Sequence, residues 1–211
     1  MRTARTIPLL AVALAAGCGS LTGINFDPEE YDPIPVIQDL DWSAVQPDRE
    51  WDYWEFRGVG PDLEHTVLGA GGRLERDDLD AATREALDAT APTAGFGEGC
   101  LPGTCYRYVV AVDGGDLTTI NTPDALAGFI GDIDSRDEAI LRVAARAHTW
   151  WDDGAHTGIR PEVDGWDLVV LETVAFCEPV QTDRVRFYVA LDGRIEPGAR
   201  EVWQRNENAC I

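Results

Sequence analysis

Two imidazoles and two carboxylates fall within nine residues in the stretch His148-Thr149-Trp150-Trp151-Asp152-Asp153-Gly154-Ala155-His156. Nitrogen and oxygen donors of this kind are what zinc, manganese or iron accept. If a helix ran on to Asp152, His148 and Asp152 would share a face at i,i+4, and Gly154 would let His156 fold back towards them. The spacing lacks the glutamate base of an H-E-x-x-H helix, so the preferred reading is structural. His148 then borders an apolar helix face, the aspartates solvate the helix end and His156 lies on a loop. Trp150 and Trp151 beside Asp152 and Asp153 could also stack on a pyranose ring and accept its hydroxyl protons. With 38 acids in the chain a carboxylate pair carries little information, and packing of both tryptophans is the simpler expectation.

Other chemistries lack their residues. The chain has no lysine, which removes Schiff bases, a P-loop lysine and a lysine general base. Its serines are Ser20, Ser43 and Ser135, none within G-x-S-x-G, so a serine hydrolase is disfavoured. Gly69-Ala70-Gly71-Gly72 lacks dinucleotide-loop spacing and reads as a turn or exposed loop. Asp132-Ile133-Asp134 opens like a calcium loop but has Asp137 where that loop needs glycine. No cofactor is expected, and catalytic residues stay unassigned.

The N-terminus carries the most specific signal. Arg2 and Arg5 precede an apolar run from Ile7 to Ala16, which closes on Leu14-Ala15-Ala16-Gly17-Cys18. Ten apolar residues rise only ~15 Å as a helix, too short to span a bilayer core of ~30 Å. The pattern resembles the lipobox of bacterial lipoproteins. That resemblance implies a signal peptide over residues 1–17, lipidation of Cys18 as the mature N-terminus, and permanent attachment to a membrane through several acyl chains. Gly19, in place of aspartate after the cysteine, resembles the signal for sorting to the outer membrane.

Cleavage there leaves fifteen arginines against 38 acids, a net charge of −23. Nucleic acid and anionic lipid are therefore disfavoured as partners, because both require a positive field. An envelope protein or a glycan fits better.

The elements that must position any site follow from local pattern. Residues 18–48 are acidic and proline-rich and read as a lipidated cysteine plus semi-extended tether, with packing of Pro35 to Leu40 as an edge strand the alternative. Residues 49–211 hold one globular domain. Strands are expected over Trp51–Val59, with Trp51 and Tyr53 on one face and Trp54 and Phe56 on the other, and over His65–Leu68. A helix is expected over Leu79–Ala89, capped by Asp78 and carrying Asp80–Arg84 and Arg84–Asp88 pairs. Tyr106–Val112 and Leu117–Ile120 flank the turn Asp113-Gly114-Gly115-Asp116. Thr122-Pro123 starts a short helix, and the capping box Ser135 to Glu138 starts a longer one, predicted to run from Arg136 to Trp151. Asp167–Phe176, Arg184–Leu191 with Val185, Phe187, Val189 and Leu191 on one face, and Glu201–Arg205 complete a meander.

In an oxidising compartment the four cysteines after Cys18 should pair locally, Cys100 with Cys105 and Cys177 with Cys210. The expected class is α+β, with an antiparallel sheet covered by one long and one or two short helices and stapled by two disulfides. The expected function is a membrane-anchored, extracytoplasmic, noncatalytic binding or envelope structural module. The alternative is a metal-dependent hydrolase using His148, Asp152, Asp153 and His156.

Overall fold

A computed structural model describes residues 23–97, 105–146, 149–150 and 154–210. The fold is α+β with two antiparallel sheets, each four strands across, where one sheet was expected. In chain order the elements are β1 (Tyr53–Val59), β2 (His65–Gly71), α1 (Ala81–Ala89), β3 (Tyr106–Asp113), β4 (Asp116–Ile120), α2 (Pro123–Ile130), α3 (Arg136–Ala144), β5 (Thr149–Trp150), β6 (Gly158–Glu162), β7 (Gly165–Phe176), β8 (Val180–Ala190) and β9 (Ile195–Asn206). The first sheet runs β2-β1-β3-β4. The second runs β5-β7-β8-β9, with β6 joining β5 end to end along one edge of β7.

Alternation along the strands sorts the side chains. Trp54 and Phe56 of β1 and Val109 and Ala111 of β3 share the main core with Leu168, Val170, Val185, Phe187 and Val189 of the second sheet. Apolar residues of α2 and α3 complete this core, and α3 contacts both β7 and β8. The opposite face of the first sheet, with Tyr53, Tyr108, Val110 and Val112, is covered by Leu79 and by Leu87 of α1. At the β3–β4 turn, Gly114 and Gly115 have φ of 60° and 88°, the two positive values that a tight two-residue hairpin needs.

Four expectations are corrected. First, β2 continues through Gly71 instead of ending at Leu68. Gly69 lies under the Trp42 indole, where an added Cβ would come within 2.0 Å of the ring, and Gly71 lies against Trp54. The glycine run is therefore strand with room for two indoles, not a loop. Second, α1 starts at Ala81 and is capped by Asp80, whose carboxylate accepts from the Ala82 and Thr83 amides at 2.9 and 3.0 Å. Asp78 instead accepts from the Glu75 amide in the preceding 3-10 turn. With Asp80 so used, Arg84 donates to the carbonyls of Asp77 and Leu79, and Asp88 pairs with Arg76.

Third, α3 ends at Ala144 rather than Trp151. Its last turn tightens as the Ala145 amide reaches back to Leu141 and Val143, and Thr149–Trp150 pairs in a strand with Leu171 and Glu172. β-Branched and aromatic residues suit a strand position, and the edge of β7 supplies a partner.

Fourth, the stretch read as a tether is largely packed. Ile24, Tyr31, Ile34, Ile37, Leu40 and Val45 are buried, and Pro35 to Leu40 forms no edge strand: Ile37–Asp39 is a 3-10 turn. Each such aliphatic side chain contributes about 1.5–3 kcal/mol on burial. The polar backbone of this arm also finds partners. The Asp41 amide donates to Asp137 at 3.0 Å, the Gln46 amide to Glu138 at 2.7 Å, and Asp32 exchanges two backbone bonds with Ile159 of β6. Glu138 is fully buried, and its other oxygen accepts from the Asp134 and Ser135 amides. The capping carboxylate of α3 therefore also clamps the arm.

One disulfide, Cys177–Cys210, is seen among the described residues and ties the end of β7 to the C-terminal segment. Cys100 lies outside them, so its expected pairing with Cys105 does too.

Candidate functional site

The clearest concave site lies on the outer face of the second sheet, at its β6–β7 end. Cross-strand register aligns Arg160 of β6, Asp167 of β7, Tyr188 of β8 and Glu196 of β9 in one row. The inward set Val185, Phe187 and Val189 is legible from alternation, so Arg184, Arg186 and Tyr188 must face outwards. Beside this row is an open cavity of about 430 Å³ lined by Glu162, Val163, Asp164, Asp167, Arg186, Tyr188 and Gly198.

Asp167 anchors the floor and is only 3% exposed. Its carboxylate accepts from the Tyr31 hydroxyl at 2.7 Å, from Arg160 Nε at 3.1 Å, and from Arg186 through Nε at 2.7 Å and through Nη2. A buried carboxylate needs such donors to offset its desolvation. Arg160 reaches further to Glu30 and Glu162 and lies over the Tyr31 ring at 4.7 Å. Burial first, then the hydrogen bond to Asp167, pushes the Tyr31 phenol up to about 12. The hydrogen bond to Asp167 raises the Arg186 guanidinium above its ordinary value.

This wiring defines the available chemistry. Asp167 holds three donor groups, with Tyr31, Arg160 and Arg186 Nη2 on Oδ2 and Arg186 Nε on Oδ1, and so orients Arg186. The rim supplies recognition groups: the Tyr188 ring and hydroxyl, and the carboxylates of Glu162 and Asp164. Desolvation, followed by the charges of Asp164, Glu196 and Glu162, raises the Tyr188 phenol, so it stays a neutral donor at physiological pH. An aromatic face ringed by carboxylates suits an organic cation or a hydroxyl-rich ring.

A second buried polar network has a structural explanation. On the α1 side of β1, Glu55 accepts from the Tyr53 hydroxyl at 2.9 Å and from Arg57 Nε at 2.7 Å, with Arg76 Nε at 3.3 Å. Arg57 Nη1 then donates to the carbonyls of Leu87 and Thr90 at 3.0 and 3.2 Å. A guanidinium on the last carbonyls of α1 satisfies orphan acceptors and complements the helix dipole.

Of the candidates from sequence, His148, Asp152 and Asp153 lie outside the described residues, as does Cys18. His156 is described, and its ring packs on Trp203 with centroids 4.3 Å apart and planes tilted by 44°. Among the described residues no group of three or more His, Cys, Asp or Glu side chains is arranged to hold a metal ion. Sequence reasoning missed Tyr31 and Asp167 altogether. Tyr31 was assigned to the tether, and its partner lies 136 residues away. Comparison with protein-family models, curated proteins and solved structures found no match to this chain.

Proposed function

We propose that the protein is a membrane-anchored, extracytoplasmic, noncatalytic binding module that takes a small cationic or hydroxyl-rich ligand in the Tyr188 cavity. The observation that carries this reading is the Asp167 network, which fixes Arg186 and leaves Tyr188, Glu162 and Asp164 to present a preset surface to the cavity. A fixed polar wall lowers the ordering cost of binding. The net charge of −23 after cleavage at Cys18 adds a long-range attraction for cations. The lipobox resemblance supplies the anchor.

Titration calorimetry with tetramethylammonium and with a panel of methyl pyranosides tests the reading. Binding of either probe, lost in Tyr188→Ala, supports it. The salt response identifies the ligand class: cation affinity falls as ionic strength rises, and pyranoside affinity does not. Unchanged binding in Tyr188→Ala would remove the cavity from the function.

A further inference from the structure

The point where the chain enters the fold constrains the anchor. Gly23 lies against Glu201 of β9, close enough that an added Cβ would fall 2.5 Å from Glu201 Oε2. The Ile24 amide donates to the same carboxylate at 3.0 Å, and Arg184 Nη2 donates to the Ile24 carbonyl at 3.3 Å. Five residue steps separate Cys18 from Gly23, a reach of at most ~18 Å. An acyl anchor on Cys18 therefore holds this end of the second sheet beside the bilayer, with no long spacer.

The same end is unusually apolar for so acidic a chain. Val174, Phe176, Val202 and Trp203 are 40%, 38%, 58% and 38% exposed. Register spreads them over both faces of this sheet end: Val202 shares the row of Asp183 and Glu172, its neighbour Trp203 meets Arg184 on the other face, and Phe176 pairs with Val180 at the strand ends. Phe26 and His156 extend the aromatic surface, through Arg184 over Phe26 at 5.9 Å and over Trp203 at 5.1 Å, and through the His156–Trp203 contact. Charges here are compensated locally. Arg184 pairs with Glu201, Arg200 with Glu172 and Asp183, and Arg205 with Glu207. Apolar groups exposed on both faces of one sheet end suit end-on contact with an apolar phase, and tryptophan next to paired arginines suits the headgroup boundary of a bilayer.

We infer that this end of the second sheet, centred on Trp203, Val202, Phe176 and Val174, docks on the lipid surface to which Cys18 is anchored. The inference rests on the reading of Cys18 as the lipidated residue. Along β7, Asp167 lies nine residues from Phe176, or ~30 Å at strand rise, so docking turns the Tyr188 cavity away from the membrane.

The test uses the full chain purified from membranes and reconstituted in phosphatidylcholine vesicles whose acyl chains carry bromine near the headgroup. Mass spectrometry of the same sample reads the acyl mass on Cys18. Docking gives quenching of tryptophan fluorescence, and the quenched component disappears in Trp203→Tyr. Phe176→Trp, which adds an indole at the same end, should add a quenched component and serves if Trp203→Tyr folds poorly. An acylated protein with no Trp203-dependent quenching and no quenched indole in Phe176→Trp overturns docking while leaving lipidation standing. Absence of acyl mass on Cys18 overturns the anchor and the docking together.

Discussion

The Tyr31 hydroxyl donates to Asp167 Oδ2 at 2.7 Å, joining the N-terminal arm to the centre of the second sheet across 136 residues. The fold holds this phenol protonated up to about 12, whereas an exposed tyrosine ionises near 10.0. A folded-state pKa above the unfolded one gives stability that is complete below pH 10 and is lost as pH rises towards 12. Because solvent screens part of the shift, the loss is on the order of 1–2 kcal/mol. Tyr31→Phe should flatten that part of the alkaline stability profile, measured by urea unfolding at stepped pH. It should also cost about 2 kcal/mol at neutral pH, as expected for a hydrogen bond to a charged acceptor. An alkaline slope equal to the wild type would show that other groups govern it.

Glu138 accepts three backbone amides, from Gln46, Asp134 and Ser135. Glu138→Ala leaves all three donors without this acceptor and should cost about 3 kcal/mol or more. Glu138→Gln should be nearly as damaging, because whichever way the amide turns, its NH₂ faces an N–H donor. Both variants should become sensitive to protease within residues 33–48, read by mass spectrometry of early fragments.

The Glu55–Arg57 pair is almost fully buried. Arg57→Met alone leaves the buried Glu55 carboxylate with only Tyr53 and Arg76 and should destabilise by about 3 kcal/mol. Adding Glu55→Leu should recover much of that loss, because two apolar groups of similar size avoid desolvating either charge. A double variant no better than the single one would show that the bonds from Arg57 to the α1 carbonyls dominate.

Cys177 and Cys210 close a loop with a sequence separation of 33. In the chain-entropy account such a loop is worth about 3.7 kcal/mol. Paired replacement by serine should lower the urea midpoint accordingly, with a change in m only if the unfolded ensemble expands.

A chain starting at Glu50 should fail to fold cooperatively, whereas one starting at Gly19 should give a single sharp unfolding transition by calorimetry. The difference is the arm, with Ile24, Ile34, Ile37, Leu40 and Val45 in the cores.

That contrast shows where the sequence was legible. Period-two alternation separated Trp54 and Phe56 from Tyr53 and aligned Val185, Phe187 and Val189, though Trp51 joins the main core instead of Tyr53 and Leu191 is exposed; the Ser135–Glu138 capping box gave the start of α3. These signals are local. The arm failed because prolines and acids suggest an extended chain, while its buried aliphatics are anchored by bonds to Asp137, Glu138 and Glu201, far away in sequence. The expectation that α3 runs on to Trp151 failed for a related reason. An apolar run beside β7 gains more from strand pairing than from further helical turns, and periodicity does not reveal that edge. The cavity was half legible, since the outward set Arg186 and Tyr188 follows from alternation. The Asp167 wiring that makes it a site depends on Tyr31.

The bond from Ile24 to Glu201 spans 177 residues, and it sets the order of assembly. The arm is synthesised first, yet the acceptor of its Ile24 amide lies in β9, the final strand to appear. Contacts this distant close slowly and late. Until β9 has formed, the Ile24 end of the arm lacks its Glu201 acceptor, so this attachment closes after the partners of Asp41 and Gln46 on α3 are already in place.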